Sequence, residues 1–127
     1  PAQTLRAINE AEAYDGPSII IGYSPCEMHS IKGGMVNCQA EMKKAVDCGY
    51  WNLYRFNPAA EGGKFTLDSK APTAEYSEFL SGEVRYTSLQ QKDPERAARL
   101  FGEAAESAKE HFDYLTKLDA VYNKAAE

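Results

Sequence analysis

The sequence predicts an α/β fold: a piece of parallel sheet built on a βαβ unit, followed by a helical C-terminal extension. Three observations predict it. Ile19-Ile20-Ile21 is a run of isoleucines between turn residues, the pattern of a strand buried on both faces. A helix-period segment at about 37–48 separates this run from a second apolar stretch, Trp51–Phe56, and a helix between two strands favours parallel pairing with a right-handed crossover. Beyond residue 93, apolar residues at helical spacing continue for about eight turns.

The elements follow in order. Leu5, Ile8, Ala11 and Glu12 share one face of a short helix over about 3–14, which Asp15-Gly16-Pro17 stops. Ser18–Tyr23 is the buried strand. Residues 24–34, with Pro25, Gly33 and Gly34, form a connection too rich in turn residues to continue either element. A second helix covers about Asn37–Cys48, with Met42, Ala45 and Val46 inward, Lys43, Lys44 and Asp47 outward, and Gly49 at its C-terminal cap. Trp51, Leu53, Tyr54 and Phe56 make the second strand, ended by Asn57-Pro58. Residues 57–73 hold two prolines and two glycines and read as an irregular arm with one short strand at Phe65–Leu67. Tyr76, Leu80, Val84 and Thr87 then recur on one helical face. Asp93-Pro94 is an N-cap followed by proline at the first helical position. After it Ala97, Leu100, Phe101, Ala104, Ala108, Phe112, Leu115 and Tyr122 form the long stripe. The division this suggests is 1–73 as the α/β part and 74–127 as a helical extension packed on the same domain.

Length and composition bound the function. A chain of 127 residues has room for one domain with a moderate core. A net charge of −5 argues against nucleic acid, whose phosphates demand a basic face. No apolar run approaches the roughly 20 residues that span a bilayer, and no signal-peptide pattern opens the chain. Pro1 stands where an initiator Met is expected, in front of what already reads as mid-domain helix, so a fragment of a longer polypeptide is expected. Three cysteines at unrelated spacings do not describe a secreted disulfide framework, and a reducing cytoplasm is expected.

Cys26 is the first candidate for chemistry. It stands just past the carboxyl end of the expected strand, where open sheets place ligands. It also lies in a turn whose free backbone N–H groups can bond to sulfur and tune a metal site. The competing reading is an inert cysteine at a strand end. Cys38 and Cys48 lie on the second helix and read as core or half-buried residues. A zinc site from Cys26, His29, Cys38 and Cys48 lacks the paired short spacings of zinc modules. His29 beside Cys26 and His111 in the long helix are expected at the surface, and no nucleophile and acidic partner accompany them as in a hydrolytic triad. Gly33-Gly34 reads as a turn or as a phosphate cradle, without a Gly-x-Gly-x-x-Gly or Walker pattern around it. Trp51, Tyr54, Phe56, Tyr76, Phe79 and Tyr86 read as packing rather than a stacking surface. The long helix reads equally as an oligomer contact or as a helix lying on its own domain.

Tyr23-Ser24-Pro25-Cys26, Ile31-Lys32-Gly33-Gly34-Met35, Asp47-Cys48-Gly49-Tyr50-Trp51, Leu53-Tyr54-Arg55-Phe56-Asn57-Pro58 and Leu67-Asp68-Ser69-Lys70-Ala71-Pro72 occur in this order. Together they resemble the C-terminal part of pyruvate:ferredoxin (flavodoxin) oxidoreductases, over about residues 5–118. The resemblance implies a part of a thiamine-diphosphate-binding-type parallel sheet. It also implies a parent enzyme that oxidises pyruvate with coenzyme A to acetyl-CoA, using thiamine diphosphate, magnesium and [4Fe–4S] clusters. Cys26 would be the last of four ligands to the cluster nearest the thiamine, the other three lying upstream. The family's Gly-Asp-Gly segment for the diphosphate is absent here, so the isolated chain is expected to be inactive and to hold no cofactor. No acid, base or nucleophile is assigned. The implied partners are the remainder of the parent chain, a homodimer partner, and ferredoxin or flavodoxin as electron acceptor. The alternatives are a non-catalytic folding or oligomerisation module and a relative acting on another 2-oxo acid.

Overall fold

A computed structural model describes residues 1–123. The chain folds as α1 (Ala2–Ala13), α2 (Cys38–Asp47), β1 (Tyr54–Phe56), β2 (Phe65–Leu67), α3 (Tyr76–Gly82), α4 (Val84–Lys92) and α5 (Pro94–Tyr122), with a 3-10 turn at Met35–Asn37. Residues 124–127, the end of the expected helical extension, lie outside the described residues.

The helical C-terminal part is as expected. The Asp93 side chain accepts from the backbone N–H of Arg96 at 3.1 Å, Pro94 opens α5, and the helix runs from there to Tyr122. A free N–H at the helix start is thereby satisfied where proline's missing N–H does no harm. Ala97 and Leu115 are buried, and Leu100, Phe101, Ala104, Ala108 and Phe112 are partly covered, so the stripe faces the protein up to Leu115, while Tyr122 at its end is exposed. α5 packs on α4 and α3 and reaches back to β2.

The sheet is not the expected one. β1 and β2 pair antiparallel, Tyr54 opposite Leu67 and Phe56 opposite Phe65. The cause is the short arm between them. Asn57 accepts from the Ala59 N–H through Oδ1 at 3.0 Å, and its own N–H donates to the Lys64 carbonyl at 2.8 Å, so the chain turns straight back on itself. A short connection joins antiparallel neighbours, whereas a parallel pair needs a crossover. Ser18–Tyr23, the expected first strand, pairs with no strand among the described residues. Ile19, Ile20 and Ile21 are 87%, 57% and 74% exposed. The parallel βαβ unit is therefore not present in the described residues.

Three smaller corrections follow from burial and backbone geometry. α1 turns Leu5 and Ile8 outward and buries no residue. In α2 the inward residues are Ala45 and Glu41, while Met42 is exposed. The segment after Tyr76 is two helices, not one, broken at Glu83, whose backbone is extended (φ −98°, ψ 116°). Glu83 forms an isolated antiparallel bridge with Ile31, and that non-local pairing breaks the helix.

The core centres on Ala45, Cys48, Phe79 and Leu80, with Tyr23, Tyr50, Trp51, Tyr76, Tyr86 and Phe101 packed around them. Tyr50 and Phe79 lie 4.4 Å apart, centroid to centroid, tilted rather than face to face, as aromatic quadrupoles prefer. A smaller aromatic group joins Phe65, Tyr54 and Tyr122 across β2 and the end of α5.

Candidate functional site

Cys26 closes the coil that follows the isoleucine run. Pro25 before it is buried and fixes the entry, and the Ser30 N–H donates back to the Cys26 carbonyl at 2.8 Å, closing a turn over residues 27–29. Ser30 takes a left-handed φ of 63° to leave that turn. Gly33 and Gly34 follow at φ 84° and 85°, where only glycine is unstrained, and Gly34 N–H donates to the Ile31 carbonyl. The glycine pair is thus a turn that delivers the chain to α2.

Within this turn the Cys26 Sγ lies 3.1 Å from Nδ1 of His29, and the thiol is partly exposed. The His29 ring is the main cause that holds the thiol below its ordinary pKa. The backbone N–H of His29 adds to it, burial opposes it, and the Met28 N–H contributes less. A low-pKa, accessible thiol is the form of cysteine that binds metals or reacts. Cys48 is the opposite case. It is buried, its S–H points to the Ala45 carbonyl at 3.6 Å, and burial pushes its thiol up. Cys38 is half-buried. Among the described residues no three His, Cys, Asp or Glu converge on a point that suits a metal ion, so the four-residue zinc reading has no geometric support. Two shallow depressions, about 470 and 330 Å³, lie elsewhere, and Cys26 lines neither.

The turn is anchored on both sides through Glu83, a residue that the sequence did not single out. Upstream, the Tyr23 hydroxyl donates to Oε1 of Glu83 at 2.6 Å. Its ring packs against Tyr50 at 5.5 Å and Trp51 at 5.9 Å. Burial, and then the Glu83 carboxyl, push the Tyr23 hydroxyl far above its ordinary pKa, so it stays a donor. Downstream, Ile31 is buried and bridged to Glu83, with Lys32 N–H donating to Gly82 O at 2.7 Å and Val84 N–H to Ser30 O at 3.3 Å. Glu83 is fully buried, and its Oε2 sits 3.4 Å from Arg85 Nε without an aligned hydrogen bond. Arg85 in turn donates to the Tyr50 hydroxyl, which bonds that of Tyr86 at 2.9 Å. No local pattern around Glu83 signals this; only its long-range partners do.

Of the remaining candidates, Phe79 is buried and Trp51, Tyr76 and Tyr86 are half-buried in the core, whereas Tyr54 and Phe56 stay about half exposed. His111 is exposed beside Tyr114. No helix among the described residues is long and apolar enough to cross a membrane.

The site is thus a single partly exposed thiol in a turn tied at both ends to Glu83. The proteins this chain is similar to are oxidoreductases. Pyruvate:ferredoxin oxidoreductase of Moorella thermoacetica is 51% identical over 120 residues, 92% of this chain and 10% of that protein. A pyruvate-flavodoxin oxidoreductase of Klebsiella pneumoniae is 47% identical over 91% of this chain and 10% of its own length. The β subunit of NADPH sulfite reductase of Saccharomyces cerevisiae is 36% identical over 98% of this chain and 8% of its own. No family model matches. The chain is homologous to one segment of the pyruvate:ferredoxin and pyruvate-flavodoxin oxidoreductases and spans about a tenth of their length.

Proposed function

We propose that this chain is the C-terminal segment of a pyruvate:ferredoxin (flavodoxin) oxidoreductase and that Cys26 supplies one thiolate to a [4Fe–4S] cluster. The observation that carries the reading is the Cys26 turn, where the His29 ring 3.1 Å from a partly exposed sulfur, with two backbone N–H groups, lowers the thiol's pKa and so favours the thiolate. A [4Fe–4S] cluster takes four thiolates and passes one electron at a time. The donor set fits one corner of such a cluster. Cys26 offers a single sulfur, and the other three come from polypeptide outside these residues.

This chain's own contribution is to position that sulfur and to surround it with N–H donors, which raise a cluster's potential by stabilising its more negative, reduced form. No residue here is assigned to thiamine diphosphate, magnesium, pyruvate or coenzyme A. In this reading the activity is that of the parent enzyme, in the cytoplasm, as a homodimer, with ferredoxin or flavodoxin taking the electrons. Residues 1–73 complete its α/β domain and 74–127 pack on it.

The exposed Ser18–Tyr23 segment supports the fold half of the reading. Residues 17–25 make no backbone hydrogen bond with other described residues, and three isoleucines in that state are strand material. The parallel sheet is completed by strands from the rest of the parent.

A second reading is favoured by the yeast sulfite reductase β subunit, a match whose name carries a different substrate. Under it the segment is a packing module shared by redox enzymes, and Cys26 holds no metal. Anaerobic iron and sulfide analysis of the longer polypeptide, with and without Cys26→Ala, separates the two. Loss of about one cluster per chain supports the ligand; unchanged iron and sulfide supports the module.

A further inference from the structure

We propose that Glu83 is the positioning residue of Cys26: it grips the chain before the cysteine through its side chain and after it through its backbone. The carboxylate Oε1 accepts from Tyr23 at 2.6 Å, and the Glu83 backbone bridges Ile31, so residues 23–31 form a loop tied at both ends to one residue. Glu83 is placed for both tasks because it interrupts the helical path between α3 and α4. An extended residue there turns its backbone edge toward Ile31 and its side chain into the aromatic cluster around Tyr23.

The cost of this arrangement points to a purpose beyond folding. A carboxyl with 0% exposure is expensive to bury, and Oε2 and Arg85 Nε have no hydrogen-bond partner among the described residues, whereas an apolar residue would fill the space without that penalty. A short charge-assisted hydrogen bond is directional in a way that apolar packing is not. It fixes Tyr23, and through Pro25 it fixes the heading of Cys26. The functional half of this inference rests on the reading of Cys26 as a cluster ligand; the geometric half stands without it.

The experiment measures hydrogen exchange of the Ser30 amide, whose bond to the Cys26 carbonyl closes the turn, in Glu83→Ala, Glu83→Gln and Tyr23→Phe forms of the 127-residue chain. Amides of α5 around Leu115 serve as the reference for global opening. The expected result is at least tenfold faster Ser30 exchange in Glu83→Ala and Tyr23→Phe with α5 unchanged. Glu83→Gln, which keeps an acceptor for the Tyr23 hydroxyl, recovers most of the protection. If Glu83→Ala does not fold, Tyr23→Phe against Glu83→Gln decides alone. Unchanged Ser30 exchange, or an equal rise throughout α5, overturns the clamp. In the longer polypeptide carrying a reconstituted cluster, Tyr23→Phe is expected to alter the electron paramagnetic resonance of the reduced cluster, and Cys26→Ala to abolish it. A signal that survives Cys26→Ala overturns the ligand reading, and with it the functional half, while Ser30 exchange still judges the clamp.

Discussion

The Arg55 guanidinium donates to both carboxylate oxygens of Asp68, from Nε to Oδ2 at 2.7 Å and from Nη2 to Oδ1 at 2.9 Å. The same arginine also pairs with Glu10 of α1, and Gln3 of α1 donates to Asp68 at 3.0 Å. With Leu5 and Ile8 turned to solvent, this network is what attaches α1 to the β1–β2 hairpin. Removing one partner of a largely covered pair falls between about 1 kcal/mol for an exposed pair and about 3–5 for a fully buried one. Asp68→Ala is expected to lower stability by about 2–3 kcal/mol in urea titrations and to free the α1 amides for exchange first.

Acid should detach α1 by the same route. Hydrogen bonds from Arg55 hold the Asp68 carboxyl below its ordinary range, with burial opposing. The unfolded chain therefore binds a proton at Asp68 before the folded chain does. The stabilisation is fully present above the unfolded pKa of about 4 and is lost as pH falls through the lower, folded value. Between about pH 5 and about pH 3 the urea midpoint should fall, and Asp68→Asn should flatten that fall. An equally steep acid slope in Asp68→Asn would refute the assignment.

Gly49 ends α2 with a φ of 80°, and a Cβ there would stand 2.8 Å from Cγ of Pro72. A left-handed alanine costs about 1–2 kcal/mol before any contact. With the proline ring in the way, Gly49→Ala is expected to lose at least about 2 kcal/mol of stability. Gly102 is the internal control. It lies on the exposed side of α5 with nothing within 4 Å of its would-be Cβ, and Gly102→Ala should gain about 0.5–1 kcal/mol.

The two tuned thiols should separate by reactivity. His29 lowers Cys26 while burial raises Cys48, so iodoacetamide is expected to label Cys26 at a pH where Cys48 stays untouched. His29→Ala should move the Cys26 labelling midpoint upward and leave Cys48 alone. Peptide mapping across a pH series reads both. A Cys26 midpoint unmoved by His29→Ala would leave the backbone N–H groups as the sole cause.

What the sequence made legible was local chemistry. Asp93-Pro94 caps α5 because capping needs only neighbours in the chain, and Gly49 stops α2 for the same reason. Cys26 in its Pro-bounded turn was legible too, and so was the short strand at Phe65–Leu67. The break at Glu83 was not, because its cause is a bridge to Ile31 and a hydroxyl on Tyr23, both far away in the chain. Strand direction failed similarly. Periodicity at Trp51–Phe56 says that an apolar face exists but not which neighbour pairs with it, and the compact turn after Asn57 supplied an antiparallel one. In α2 the buried Glu41 displaced Met42 from the expected inward face. Its Oε1 lies where a Cβ on Gly82 would sit, so one side chain's room is another residue's missing methyl.

Ile20 tests whether the isoleucine run is surface or unfinished sheet. In the 127-residue chain its side chain is more than half exposed, and no backbone bond to another described residue holds its segment, so Ile20→Asp should change stability by no more than about 0.5 kcal/mol. If the proposed parent completes a parallel sheet on this run, the same side chain would lie between strand and helix layers. A buried, unpaired carboxylate there should cost several kcal/mol and leave the polypeptide insoluble or without its cluster. The comparison is made by expressing both forms with and without the substitution and measuring soluble yield and thermal midpoint. A large effect only in the longer polypeptide places the run in a sheet that this chain does not complete. A small effect in both makes Ile19–Ile21 true surface, and the expected parallel strand is then wrong for the parent as well.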